Sequence, residues 1–202
     1  MAGPTALVMV AGGTAGLDAA MEAVEGIAAL IAARRDGDEM DVHTTTPVGG
    51  TYEGQARPFL ARPSAAVLEM GAASPAELLD WCALYRREFG WRPDGAVLLT
   101  ALCNSDWDHR VLAELALAVV DRIGRVGDMD GSIVPRRLQA SAPGGEPLSA
   151  LSPQVEAFVH TLPGKAVAVP YLTAAGRCSA THTVDATFLR AWLRDPEFRM
   201  AK

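Results

Sequence analysis

Lysine is nearly missing from this chain. Only Lys165 and Lys202 carry an ammonium, every other basic residue is arginine, and acids outnumber bases by 24 to 18. The net charge of −6 argues against nonspecific nucleic-acid binding, which needs a basic surface to displace counterions from phosphates. It suits a basic protein partner, because complementary charge speeds encounter. Cysteine is scarce too. Cys82, Cys103 and Cys178 lie far apart and form no CxxC pair, which argues against a thiolate zinc site. An odd count of thiols fits a reducing compartment. No apolar run approaches the roughly 20 residues of a membrane span. The opening MAGPTALVMVAGG has no positively charged start and only a short apolar run, so a signal peptide is not expected and the expected location is the cytoplasm.

What the chain does have is apolar mass. Hydrophobic residues make up 50% of its 202 positions, and a chain of this length buries roughly 70% of its unfolded surface, so no metal or disulfide is needed to fold it. Branched apolar runs at Thr5–Ala11, Met40–Thr46, Ala65–Met70, Ala96–Leu102, Ser132–Val134, Ala166–Leu172 and Ser179–Val184 read as strands. Between them lie helical patterns. Leu17–Arg35 places Met21, Val24, Ile27 and Ile31 on one side and ends in cations before Gly37. Ser74-Pro75-Ala76-Glu77 opens a helix running to about Phe89. Ser105 opens another, with Asp108 three residues on and an apolar stripe of Val111, Leu112, Leu115, Val119 and Ile123; Arg110 and Glu114 pair on its opposite face. Ser152-Pro153 starts a short helix, and Asp185 caps a last one with Phe188, Leu189 and Trp192 inward. The reading is one domain over 1–202 of mixed α/β (α+β) type: a central mixed sheet of about five or six strands with about four or five helices, and loop-rich excursions at 47–63 and 136–150.

Residues able to do chemistry concentrate between Cys103 and Pro135. The turn Gly12-Gly13-Thr14-Ala15-Gly16 follows a strand and precedes a helix, but Ala11 stands where a dinucleotide fingerprint needs glycine and no Gly-Lys-Ser/Thr follows; a plain strand-to-helix turn is the better reading. Asp128, Asp130 and Gly131 resemble part of a calcium loop. Aligning Gly131 on the invariant glycine puts Val126 and Arg137 at ligand positions, which excludes an EF-hand and leaves an acidic turn. Asp106 and Asp108 suit the first turn of a helix, where they cap free N–H groups and complement the dipole. A metal site would recruit His109 with Asp106 and the acids at 128 and 130; a hydrogen-bonded structural histidine is the stronger reading. Cys103 sits where strand gives way to helix and offers a nucleophile, yet it lacks the glycines of a nucleophile elbow and has acids close by, so a buried thiol is the better reading. Trp107 is the one tryptophan that reads as an exposed interface anchor.

The stretch Cys-Asn-x-x-x-Asp-His-Arg-x-Leu-x-Glu-Leu-Ala at Cys103 to Ala116, the step Gly127-Asp128-Met129-Asp130-Gly131, and the C-terminal Phe188–Leu193 with Pro196–Met200 resemble a family of small uncharacterised actinobacterial proteins. These look similar to the immunity proteins of bacterial polymorphic-toxin systems. The abundant alanine and arginine, suggesting a high-GC bacterial genome, fit that source. The resemblance covers about a third of the chain and supplies no catalytic residues. It implies a protein without cofactor or metal that occludes a cognate toxin. Asp106, Trp107, Asp108, Asp128 and Asp130 are then the expected contact residues on an acidic face. The competing expectation is a small hydrolase or transferase using Cys103 or His109, or a metal-dependent enzyme with a site at Asp106, His109, Asp128 and Asp130.

Overall fold

The computed structural model describes residues 3–30, 34–37, 39–42, 57–64, 75–123, 126–129, 133–140, 150, 152–172 and 178–200. In chain order the elements are β1 (Thr5–Val10), α1 (Gly13–Leu30), β2 (Arg34–Asp36), β3 (Glu39–Val42), β4 (Arg57–Ser64), α2 (Pro75–Phe89), β5 (Gly95–Ala101), α3 (Asp106–Ile123), β6 (Gly127–Asp128), α4 (Arg136–Ala140), α5 (Pro153–Val159), β7 (Ala166–Leu172), β8 (Cys178–Val184) and α6 (Ala186–Arg194). The class is α+β around one sheet. Its order is β2-β3-β4-β5-β1-β6-β8-β7. Among the described residues six strands have four residues or more, and the short β2 and β6 complete eight.

Every pairing is antiparallel, which refines the mixed sheet expected from sequence. The physical reason lies at the centre. Helix α3 returns the chain so that β6 runs parallel to β5, but β1 lies between them and is antiparallel to both. The crossover is therefore split, and neither outer strand has a parallel neighbour.

β1 is buried on both faces, which is why it reads as a continuous apolar run. With the period of two of a strand, Ala6, Val8 and Val10 enter the larger core with α1, α3, α5 and α6. Leu7 and Met9 enter the smaller one with Tyr85 of α2, Ala96, Val126 and Val169. In the larger core Trp192 is 1% exposed and holds Phe158 at 5.2 Å edge-on and Phe198 at 5.4 Å. Truncating such an aromatic to alanine costs about 3–5 kcal/mol.

Several boundaries move. Arg34 and Arg35 belong to β2, not to the end of α1. Gly37, with φ of 60°, turns a β2–β3 hairpin in which Asp36 faces Glu39, and a glycine in left-handed conformation serves a hairpin as well as a helix end. β4 runs through the excursion expected at 47–63 despite Pro58 and Pro63. Both prolines sit at its margins: the register with β5 starts at Phe59, and that with β3 stops at Leu60, so each proline faces a single registered strand. α4 occupies the start of the loop expected at 136–150. The strand expected at Ser132–Val134 is replaced by β6, with Ile133 and Val134 buried beyond it. The strand expected at 65–70 and the second half of that at 40–46 lie outside the described residues.

Two turns show how polar groups close the frame. The N–H groups of Gly12 and Gly13 donate to the carboxylate of Asp94, at 3.1 Å and 3.0 Å. An internal carboxylate thus fills the place where a phosphate would sit on such a turn, in keeping with a plain strand-to-helix turn. At α6, the Asp185 side chain accepts from Phe188 N at 2.7 Å as N-cap, and Gly164, with φ of 98°, lies directly against that cap.

Candidate functional site

The start of α3 is built by a reciprocal capping box. Ser105 donates through its N–H and its hydroxyl to Asp108 Oδ2, both at 2.6 Å, and Asp108 N–H donates to Ser105 Oγ at 3.3 Å. Asp108 is 0% exposed, so its carboxylate is not available to an incoming partner. His109 is buried as well. Its Nε2 lies 3.0 Å from Asn104 Oδ1. That oxygen only accepts, so Nε2 carries the proton. Trp107 is half-buried, packed on the larger core with its ring centroid 6.5 Å from that of Phe59; it is not the exposed anchor expected from sequence. Cys103 is a half-buried free thiol. Glu114, expected on an open face with Arg110, is buried; its Oε1 lies 3.5 Å from Arg110 Nε, and burial pushes its carboxyl up despite that guanidinium.

Asp106 is the exposed member of the set. Its carboxylate meets Arg136 Nη2 at 2.9 Å and Arg199 Nη1 at 4.0 Å. The Arg136 hydrogen bond, chiefly, holds its carboxyl below the usual range, with the charges of Arg136, Arg199 and His109 adding to it. Nearby, Arg137 donates through its N–H to Glu197 Oε2 at 2.7 Å, and its guanidinium lies over the Phe158 ring at 5.4 Å. Arg136 N–H donates to the Glu197 carbonyl at 3.3 Å. The exposed end of α3 is thus an ion-pair set of Arg136, Arg137 and Arg199 with Asp106 and Glu197. Among the described residues it is of mixed sign and not the acidic face expected from sequence.

Asp128 lies on the other side of the sheet, toward α2. It is 4% exposed, and its two carboxylate oxygens accept separately from hydroxyls of β8, Thr181 Oγ1 at 2.7 Å and Thr183 Oγ1 at 3.2 Å. Thr183 Oγ1 also lies 2.6 Å from the Tyr85 hydroxyl. A threonine has one hydroxyl proton, and it goes to Asp128, so Tyr85 must donate. The result is a buried chain from Tyr85 through Thr183 to Asp128. Burial first, and the Asp128 charge second, push the Tyr85 phenol well above its usual 10, against the opposing effect of the Thr183 bond. Asp106 and Asp128 are therefore not brought together: α3 packs on one face and the Asp128 carboxylate points to the other. Asp130 lies outside the described residues.

Sequence reasoning missed His182 as a structural centre. It is 2% exposed in β8, and its Nδ1 accepts from Ile133 N–H at 2.9 Å. Burial lowers its pKa to about 4. The available signal was alternation: Ala180, His182 and Val184 share one strand face, and the residues on either side are core.

Among the described residues no group of three or more His, Cys, Asp or Glu side chains is placed to hold a metal ion, and no helix is long and apolar enough to cross a membrane. No curated protein and no solved structure matches the chain. A family model does, over residues 2–202, and the chain belongs to that family: DUF6368, a family of unknown function.

Proposed function

We propose that the chain is a cytoplasmic protein-binding module of the immunity type, which neutralises a cognate toxin by occlusion and docks through the exposed end of α3. What supports this reading is the division of labour among the polar residues between Cys103 and Pro135. Asp108, His109 and Asp128 each have an internal structural partner. The Asp106 carboxylate remains at the surface, 61% exposed and already oriented by Arg136 and Arg199. Charges held in place before encounter lose little freedom on binding, and arginines are common anchors of protein interfaces. The net charge of −6 speeds encounter with a basic partner, while the mixed-sign set fixes its register. A toxin as the partner rests on the resemblance of Cys103–Ala116 to a family of small proteins similar to immunity proteins. Asp108 and Asp128 are no part of this surface, because both are buried.

A rescue assay tests the proposal. The chain is co-expressed with toxic proteins encoded next to its gene, and survival is counted. The expected result is rescue by the native chain and at least tenfold lower survival with Asp106→Lys, at an unchanged urea midpoint. Full rescue by Asp106→Lys and by Arg136→Glu refutes the docking face. Absence of rescue against every neighbour, with no complex on size exclusion, refutes the immunity reading.

A further inference from the structure

The sheet has a narrow waist. On one side, β1 and β5 pair over the whole of Thr5–Val10, and β4 pairs with β5 from Phe59 to Ser64. On the other, β7 and β8 pair from Ala166↔Val184 to Leu172↔Cys178. Among the described residues, the strand between these blocks is β6, two residues long, with Leu7↔Asp128 and Val8↔Gly127 on one edge, extended by Met9 N–H to the Val126 carbonyl at 2.9 Å, and Gly127↔Val184 and Asp128↔Thr183 on the other.

Side chains reinforce that waist from both faces of β8. Toward α2, Thr181 and Thr183 hold the two oxygens of Asp128, with Tyr85 behind Thr183. Toward α6, the His182 ring accepts from Ile133 N–H, while its carbonyl accepts from Met129 N–H at 3.1 Å. The base of the hairpin is fixed separately, by Asp185 N–H to the Lys165 carbonyl at 2.9 Å and by the α6 cap.

We propose that the β7–β8 hairpin opens as a unit, pivoting on its base at Lys165 and Asp185, and that the imidazole of His182 is the acid-sensitive latch that keeps it closed across β6. An imidazole nitrogen that accepts a hydrogen bond cannot be protonated without losing it. In the closed state Ile133 N–H occupies Nδ1 and the ring is buried. Burial is the cause that moves this ring. On the facing elements, Ala168 is its partner in β7, and Asp128 turns to the opposite face. In α5, Glu156 pairs with His160 at the surface; in α6, Asp185 caps the helix, Arg190 pairs with Asp121, and Arg194 is exposed. The open state regains an ordinary imidazole. It takes up a proton below 6.5, the closed state only near 4, so closure is fully favoured above 6.5 and is lost as pH falls between those values. At pH 5 the opening constant is about 20-fold larger than at pH 7.

Amide hydrogen exchange on the intact protein, expressed as protection factors, measures this opening. The expected result is a loss of about 20-fold in protection at β7 and β8 from pH 7 to pH 5, with β1 and β5 unchanged. In His182→Gln, whose side-chain oxygen accepts from Ile133 N–H without titrating, the pH dependence disappears. A loss shared equally by β1 and β5, no loss at β8, or full pH dependence in His182→Gln overturns the proposal. Should that variant not fold, ring-carbon NMR of the unaltered protein decides: a His182 midpoint below 5 with pH-linked hairpin exchange supports the latch, and a midpoint near 6.5 overturns it.

Discussion

Replacing Thr183 by valine keeps the shape of a side chain that is 0% exposed and deletes its hydroxyl. Two bonds go at once: the one from Tyr85 at 2.6 Å and the one to Asp128 at 3.2 Å. The Tyr85 hydroxyl, also in a fully buried residue, loses its Thr183 acceptor. A net bond is worth about 1 kcal/mol and one to a charged group about 1.5–3, so Thr183→Val is expected to cost about 3 kcal/mol. Tyr85→Phe alone is expected to cost about 1 kcal/mol, because Thr183 keeps its bond to Asp128. The informative quantity is the double variant. Once Thr183 is valine, the Tyr85–Thr183 bond is already gone, so removing the Tyr85 hydroxyl costs less than it does in the native chain and the coupling energy is about 1 kcal/mol. Urea denaturation of the four proteins at pH 7 measures it, with equal slopes as the condition for comparing them. Additive losses, with coupling under about 0.5 kcal/mol, refute the directed chain from Tyr85 to Asp128.

Two further outcomes follow from the turns. Gly164→Ala places a Cβ 2.2 Å from Phe188 N and 2.7 Å from Asp185 Oδ1 at a φ of 98°; strain and damage to the α6 cap together are expected to exceed about 2 kcal/mol, read by calorimetry as a melting point lower by about 5–10 °C. Asp94→Ala strips the acceptor from Gly12 and Gly13 N–H and is expected to cost about 1 kcal/mol by urea titration, with Asp94→Asn recovering part of it.

The sequence made some of this legible and hid the rest for definite reasons. Ser105 and Asp108 announced a capping box because that motif is local, and the structure has it. The apolar runs at 5–11 and 96–102 announced central strands because burial on both faces leaves no polar alternation to misread. β4 was hidden by prolines that are harmless only at its margins, a fact about its neighbours. Asp128 read as part of an acidic turn because its partners Tyr85, Thr181 and Thr183 are distant in sequence, and a buried carboxylate has no local signature. The sign of the α3 end was hidden likewise: Arg136 and Arg199 reach Asp106 only once the sheet has formed.

The central position of β1 sets a timetable for synthesis. Among the described residues, its registered partners are residues 95–100 and 127–128. At elongation rates of about 5–20 residues per second, the apolar run Ala6–Val10 waits on the order of ten seconds for β5 and longer for β6. Throughout that interval the strand most thoroughly enclosed in the finished protein is the one most exposed to other nascent chains. Dependence on chaperones during translation, and a yield that falls as expression rate rises, are the outcomes expected from where this one strand lies.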